Sequence, residues 1–392
     1  MKYWLLYIKL FFLIPVILLF FIIRIFKKFK INKIPSHSIG EMCYAIEIYI
    51  HEKKIDPKKT TAVWFMGKLV SNKFLAKKWS EQMLILPRHI LEPVYFFFNS
   101  FKIFSFFIFN YDGESDVVKR TLKDKLKRID NKNVLLKYGP SIKFNSFEKN
   151  KGNLYLKKAG LDNKKFFTFA LRSADYKNEK FETSRNSNIS NIIPGLKSMT
   201  SKNYKAIRIG KNEKKKLDFN DPNIIDYATS PDRSDFLDVY LISKSDFMIS
   251  SNTGINEVAV LFRKPRLIID YFDIPSLEYH FLQVMIIPKK YINLKTGNLI
   301  SFEEAFKKKL NQIHIIPKMN DLGYGLIDNN ELDVNQGVEN FHKFINNTLD
   351  LNEILQNQKN FWNNIERNFG FKNKNNIIIC PNFYNKNIEL FN

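Results

Sequence analysis

The run from Ser234 to Tyr271, SDFLDVYLISKSDFMISSNTGINEVAVLFRKPRLIIDY, leaves a chain few folds to choose from. Apolar residues first recur at a helical period (Phe236, Val239, Tyr240), then close into DFMIS (246–250), then return to a helical period before RLIIDY (266–271). A short apolar run bounded by polar residues suits a strand buried on both faces of a parallel sheet. Two βα units therefore stand back to back. Between them Ser251, Asn252, Thr253 and Gly254 form a small polar turn, and Arg263, Lys264 and Pro265 close the second helix. Small hydroxyl and amide residues followed by glycine let the backbone turn sharply and point amides outward, an arrangement that favours anions. The alternative reading of the same four residues is an ordinary helix cap.

The rest of the chain supports an α/β class. Its 392 residues suffice for two or three domains, and 45% hydrophobic content supports real cores. The sequence predicts a helix at 41–53, strands at 60–66 and 83–86 with a helix between them at 68–82, then an aromatic segment, Val94–Phe109. Phe97, Phe101, Phe104 and Ile108 recur there at helical spacing, fitting either a core helix or one lying at a bilayer interface. A charged connector follows (112–150). A second α/β unit opens with a helix ending at Gly160 and the strand FFTFAL (166–171), continues with a helix at 192–200 and strands at 204–209 and 223–228, and is followed by helices at 301–312 and 337–368. The expected divisions are 1–30, 35–144, 145–335 and 336–392.

Charge and cysteines narrow the function. The formal net charge of +23 favours anionic partners. No helix-turn-helix, zinc-finger or RNA-binding signature points to nucleic acid, and none is expected as a partner. Cys43 and Cys380 imply no disulfide framework, and the six histidines follow no ligand spacing, so no metal is expected. From Trp4 to Ile23 the chain is apolar except for Lys9, about enough at ~1.5 Å per residue to cross a ~30 Å hydrocarbon layer. Arg24, Lys27, Lys28, Lys30 and Lys33 follow it. The expectation is an uncleaved anchor in the inner membrane with the remainder cytoplasmic, the alternative being an embedded hairpin or interfacial helix.

In open parallel sheets ligands bind at the carboxyl ends of strands, so Arg172 after FTFAL and Ser250–Gly254 at the end of DFMIS can share one crevice. A guanidinium opposite a row of amides would hold a diphosphate, although a surface salt bridge accounts for Arg172 equally well. Arg208 after YKAI repeats the argument more weakly. Glu257, one turn further on, is placed to accept from a ribose or simply to be solvated.

The segments FALRSADY (169–176), SRNSNISNIIPGLKSMTSKNYKAIRIGK (184–211) and IIDYATSPDRSDFLDVYLISKSDFMISSNTGINEVAVLFRKP (224–265) resemble a family of bacterial glycosyltransferases, and more distantly fucosyltransferase-type proteins of the GT-B fold. The resemblance covers roughly residues 145–290. It implies a GT-B-like α/β fold, two Rossmann-like domains facing a cleft behind an N-terminal membrane helix. It further implies a sugar-nucleotide donor bound by the second domain and a glycan or glycolipid acceptor bound by the first. The family's His-x-Arg-Asp-Ser appears here as Ala170-Leu171-Arg172-Ser173, keeping the arginine and lacking the histidine and aspartate. Arg185 and Asn186 match the family's tyrosine-arginine-asparagine segment and are implied donor or acceptor contacts. With no Asp-x-Asp pair, the implied reaction needs neither metal nor cofactor: Arg172 steadies the departing diphosphate, while His37 and Glu41, in and after the first loop of domain one, are base candidates by position.

Overall fold

A computed structural model describes residues 2–56, 61–108, 130, 133–173, 181–218, 221–277, 283–370 and 377–391, with the side chains of residues 2–13, 102, 105 and 276 outside the description. The chain divides into two compact units, Met1–Ile142 and Lys143–Asn392.

Helix α1 of the first unit runs from Lys2 to Phe26 and strand β1 from Phe29 to Ile34. Helix α2 (Ile39–Ile55) returns the chain to β2 (Thr61–Met66), which pairs with β1 in parallel. Strand β1 was hidden in the basic flank: FKINKI buries Phe29, Ile31 and Ile34, but its lysines read as the positive end of an anchor. The strand expected at 83–86 shrinks to one bridge, Trp64 to Ile85, because Leu86 N and Leu84 O bond only to Trp64. Helix α3 keeps Lys73–Ser80 of the helix expected at 68–82, capped by Asn72 Oδ1 accepting from Leu75 N at 2.8 Å.

The aromatic segment is split. Helix α4 (Arg88–Ser100) ends where Ser100 Oγ donates back to Phe96 O, and residues 102–107 continue as a 3₁₀ turn. Val94, Tyr95, Phe98 and Phe107 are buried, as the core reading expects, while Phe96, Phe101 and Phe106 are exposed. Phe109 and most of the connector lie outside the described residues.

The spanning anchor is corrected. Among the described residues no helix is long and apolar enough to cross a membrane. The apolar run's first part, to residue 13, has no described side chains, and from there Ile17 and Phe20 are buried in the first unit's own core with Phe29 and Phe107. Phe21 meets Phe107 edge-on at 4.9 Å. A helix with one face committed to protein does not present the all-round apolar surface of a lone span.

The second unit is built on a seven-stranded parallel sheet, β12-β8-β7-β6-β3-β4-β5. Its strands are β3 (Phe166–Ala170), β4 (Lys205–Arg208), β5 (Ile224–Ile225), β6 (Met248–Ser250), β7 (Arg266–Tyr271), β8 (Val284–Pro288) and β12 (Ile378–Ile379). β3, β6, β7 and β8 are buried throughout, hence their nearly continuous apolar sequences. A small antiparallel sheet, β10 (Leu299–Ile300), β9 (Lys290–Asn293) and β11 (Tyr324–Ile327), is separate from it.

The helices follow the sequence with altered ends. A capping box, Asn145 with Glu148, starts a helix at Ser146, well before the expected Asn153. The long C-terminal helix is three: Glu331–Ile345, Leu351–Asn357 and Lys359–Phe369. The first of these joins the sheet's core through Val334, Val338 and Phe341, and β12 completes that sheet, so the segment from 336 is part of the second unit's core.

Helix Asp235–Lys244 leads into β6 and is seated by Tyr240, whose hydroxyl donates to Asn153 Oδ1 at 2.8 Å. A Cβ at Gly152 would lie 2.2 Å from the Tyr240 ring. Gly152→Ala would gain about 1 kcal/mol of helix propensity, but forcing the ring aside costs about 1–3 kcal/mol, so a net loss of stability is expected. Thermal unfolding of the variant checks this; an unchanged or raised midpoint would mean that the ring moves freely.

Candidate functional site

Strand order sets the site. From β3 the chain adds β4 and then β5 on one side, and then crosses back to place β6 against β3's other edge. This reversal is a topological switch point, where the loops leaving two neighbouring strands diverge and open a crevice at their carboxyl ends. Ala170 pairs with Ser250, so Arg172 and the Ser251–Gly254 turn leave the sheet side by side.

Three bonds join the loops. Ser251 N donates to Ala170 O at 3.1 Å, Arg172 N donates to Ser251 Oγ at 2.8 Å, and Ser187 N donates to Arg172 O at 3.0 Å. Arg172 is only 7% exposed. From the loop before residues 189–192, Arg185 reaches in and its Nε donates to Asn252 O at 2.8 Å. Two arginines are thereby tied to one turn, Arg172 by its backbone amide to the Ser251 hydroxyl and Arg185 by its guanidinium to the Asn252 carbonyl.

The turn differs from the expected cap. Thr253 N is used by Ser251 O at 2.7 Å, and Asn256 N and Glu257 N bond back to Thr253 and Gly254, so the helix begins only at Asn256 and ends at Leu261. Among the described residues the amides of Asn252, Gly254 and Ile255 have no acceptor. The donors this turn leaves over are thus loop amides beside two arginines, not the start of a long helix. The expected cations do close this helix: Arg263, at φ 59°, donates from Nη1 to Leu261 O at 2.5 Å.

Several expected contacts have other duties. Ser250 Oγ bonds Asn256 Oδ1 at 3.1 Å, and Ser251 Oγ is the Arg172 acceptor, so both hydroxyls shape the turn. Arg208 is buried, with Nη2 2.8 Å from Glu213 and Nη1 2.8 Å from Lys215 O and 3.4 Å from Asp226. With two carboxylates on it, its charge is already neutralised, which removes it as a phosphate ligand. Glu257 faces the buried Arg266: burial pulls that guanidinium down to about 10, and the charge of Glu257 opposes the fall. Asn186 is held by Thr183 Oγ1 at 2.9 Å, and its carbonyl accepts from Lys289 Nζ at 2.6 Å, so its part is to fix the Arg185 loop. Residues 174–176 of the resembling motif lie outside the described residues.

Asp270 was missed. It is the penultimate residue of β7, at φ 53°, within a break in register, and is fully buried. It and Asn329 bond reciprocally, Asp270 N to Asn329 Oδ1 and Asn329 N to Asp270 Oδ1, both at 2.7 Å. Burial raises its carboxyl to about 6, against the pull of Lys289. A carboxylate inside the apolar run RLIIDY was the available signal.

The base candidates belong to the first unit. His37 is exposed in the loop leaving β1, and Glu41 lies in the first turn of α2. Ser36 fixes this loop against the one leaving β2, its Oγ donating to Leu69 O and its carbonyl accepting from Ser71 N, both at 2.7 Å. Another cluster, unforeseen, lies within α2: the buried Glu47 carboxylate accepts from Ser141 N at 2.9 Å and from Ser141 Oγ, and lies 3.0 Å from His51 Nε2. It pins the residues before the unit boundary to α2, and its members are 94 positions apart in sequence.

Neither a family model nor a curated protein matches the sequence. Among solved structures the chain is similar to ADP-heptose lps heptosyltransferase II of E. coli, at 13% identity and a TM-score of 0.41 over 66% of this chain and 90% of that one. It is similar to the glycosyl transferase family 9 protein of Veillonella parvula, at 9% identity and a TM-score of 0.42 over 73% and 90%. A third is E. coli heptosyltransferase WaaC with ADP, at 10% identity and a TM-score of 0.33 over 66% and 91%. None of these three is of the fucosyltransferase type to which the sequence resemblance extended.

Asp270 generates a pH signature. Folded, it keeps its proton up to about pH 6, whereas the unfolded chain releases it near 3.8, so its contribution to stability is fullest below 3.8 and is lost as pH rises through 6. Asp270→Asn keeps the acceptor and suits the backbone conformation. Relative to the unsubstituted protein, the variant should gain on the order of 2–3 kcal/mol between pH 4 and pH 7. Melting midpoints of both proteins across that range check it, and parallel curves would refute it.

Proposed function

We propose that this chain is a glycosyltransferase whose second unit holds the diphosphate of a sugar nucleotide at the switch point. The observation that carries the reading is Arg172, buried at the tip of β3 with its amide fixed by Ser251 Oγ, beside Arg185 fixed on Asn252 O. Guanidinium groups stay charged at any physiological pH and offer paired donors that match phosphate oxygens. Their placement beside the amides of Asn252, Gly254 and Ile255 supplies both charge and directed donors.

In the reaction an acceptor hydroxyl oxygen attacks the anomeric carbon as that carbon's bond to the diphosphate oxygen breaks. Negative charge grows on the leaving diphosphate, where Arg172 and Arg185 would stabilise it, so the proposed reaction uses no metal. The hydroxyl proton goes to a base, and His37 or Glu41 in the first unit is the proposed group. The acceptor is a surface polysaccharide or a lipid-linked glycan precursor.

A second reading rests on Ala170 and Ser173, which stand where the resembling family has histidine and aspartate. It keeps donor binding without transfer, as in a scaffold of a polysaccharide assembly complex. Release of nucleoside diphosphate dependent on an added acceptor separates the two.

Thermal-shift screening of ADP-, GDP-, UDP- and dTDP-sugars should find a stabilising donor. Arg172→Ala should weaken that donor roughly 10–100-fold, as expected for a lost charge-assisted contact. Undiminished affinity by calorimetry would remove the site. Should transfer be detected, replacement of the true base by alanine lowers kcat by about 10²–10⁴ with donor affinity unchanged, and loss of activity at neither His37 nor Glu41 would eliminate both.

A further inference from the structure

The first unit carries an apolar surface that the proposed reaction does not use. On α1, Ile17 and Phe20 face the core, whereas Ile14, Leu18, Ile22, Ile25 and Phe26 are exposed, the last two at 79% and 84%. The exposed positions recur every three or four residues and so form one stripe along the helix. The stripe continues onto the chain after α4: Arg24 lies over the Phe106 ring at 4.5 Å, and Phe106, Ile103 and Phe101 are exposed in turn. Soluble proteins seldom leave contiguous apolar surface of this extent open to water.

Charge selects the occupant. Lys27 and Lys28 are exposed at the end of the stripe, and Arg24, whose Nη1 donates to Phe29 O at 3.0 Å, rests on aromatic rings with its charge at the rim. A second copy, in a chain of net charge +23, would bring like charges to this rim. An anionic surface would neutralise them. Apolar side chains along one helical face with cations at its edge suit the boundary between acyl chains and headgroups.

We infer that the outer face of α1 from Ile14 to Phe26 and the side chains of Phe101, Ile103 and Phe106 together form an interfacial docking surface for an anionic lipid bilayer, the apolar stripe entering the acyl boundary while Lys27 and Lys28 meet headgroup phosphates. The helix lies on the bilayer and does not cross it, because its inner face is occupied by Phe29, Phe98 and Phe107. The inference stands independently of the proposed glycosyl transfer.

The test is flotation of the full chain with phosphatidylcholine vesicles, with and without phosphatidylglycerol. Binding is expected with the anionic vesicles, released by alkaline carbonate. The paired substitution Ile25→Asp with Phe26→Asp should reduce it at least tenfold while leaving thermal unfolding unchanged, since both side chains are exposed. Lys27→Glu with Lys28→Glu should reduce binding to anionic vesicles on the order of tenfold and leave binding to neutral vesicles alone. Wild-type binding by the aspartate variant, or retention through the carbonate wash, would overturn the inference. So would a dimer, by light scattering, that the aspartate pair converts to monomer without changing flotation. If the aspartate pair fails to fold, the lysine pair decides alone: no loss of anionic preference overturns the inference.

Discussion

The second unit's candidate site depends on the edge shared by β3 and β6. Because these strands pair in parallel while the chain leaves them toward opposite sides of the sheet, their carboxyl-end loops must diverge, and the crevice follows from connectivity alone. The bond from Arg172 N to Ser251 Oγ fixes the two loops where they start to part. Removing that hydroxyl would leave a buried amide without its acceptor, a cost of about 1–3 kcal/mol concentrated at the one place where geometry matters most. The small residues of SSNTG are therefore a scaffold first: two of their side chains are consumed in holding the turn, and the donors it has left are backbone amides.

Three arginines near the strand tips are held in different ways. Arg172 and Arg185 are tethered to the turn through a backbone amide and a carbonyl. Arg208, one strand away, is enclosed by Glu213 and Asp226 and has no charge left over for an incoming anion. Ser173 Oγ also donates to Glu213, at 3.2 and 3.3 Å to its two oxygens, so the neutralised cluster borders the proposed site and shields it on one side. A positive charge count would not reveal that Arg208 is enclosed by carboxylates on two sides.

Much of this was legible in the sequence because its determinants are local. DFMIS and RLIIDY are continuous apolar runs of strand formers, Ser234 begins the helix that leads into DFMIS with its own Oγ as cap, and Arg172 follows FTFAL directly. What escaped depends on partners distant in sequence. Asp226 reaches Arg208 only through β4–β5 pairing, Asn329 reaches Asp270 across 59 positions, and Glu47 meets Ser141 across 94. Strand β1 escaped for another reason: in FKINKI the lysines that stand between core residues gave the same composition as the flank of a membrane segment. The apolar length of the N-terminal run suggested a span, but composition cannot tell lipid from a protein's own aromatic rings, and it is Phe29, Phe98 and Phe107 that take its inner face.

The central claim is that a diphosphate sits where β3 and β6 part. A crystal structure of the protein with the nucleoside diphosphate of its stabilising donor tests it most directly. The account predicts phosphate oxygens about 2.7–2.9 Å from the Arg172 guanidinium and within hydrogen-bond reach of the Asn252–Ile255 amides. Phosphates bound elsewhere, with Arg172 remaining buried against protein groups alone, would contradict it.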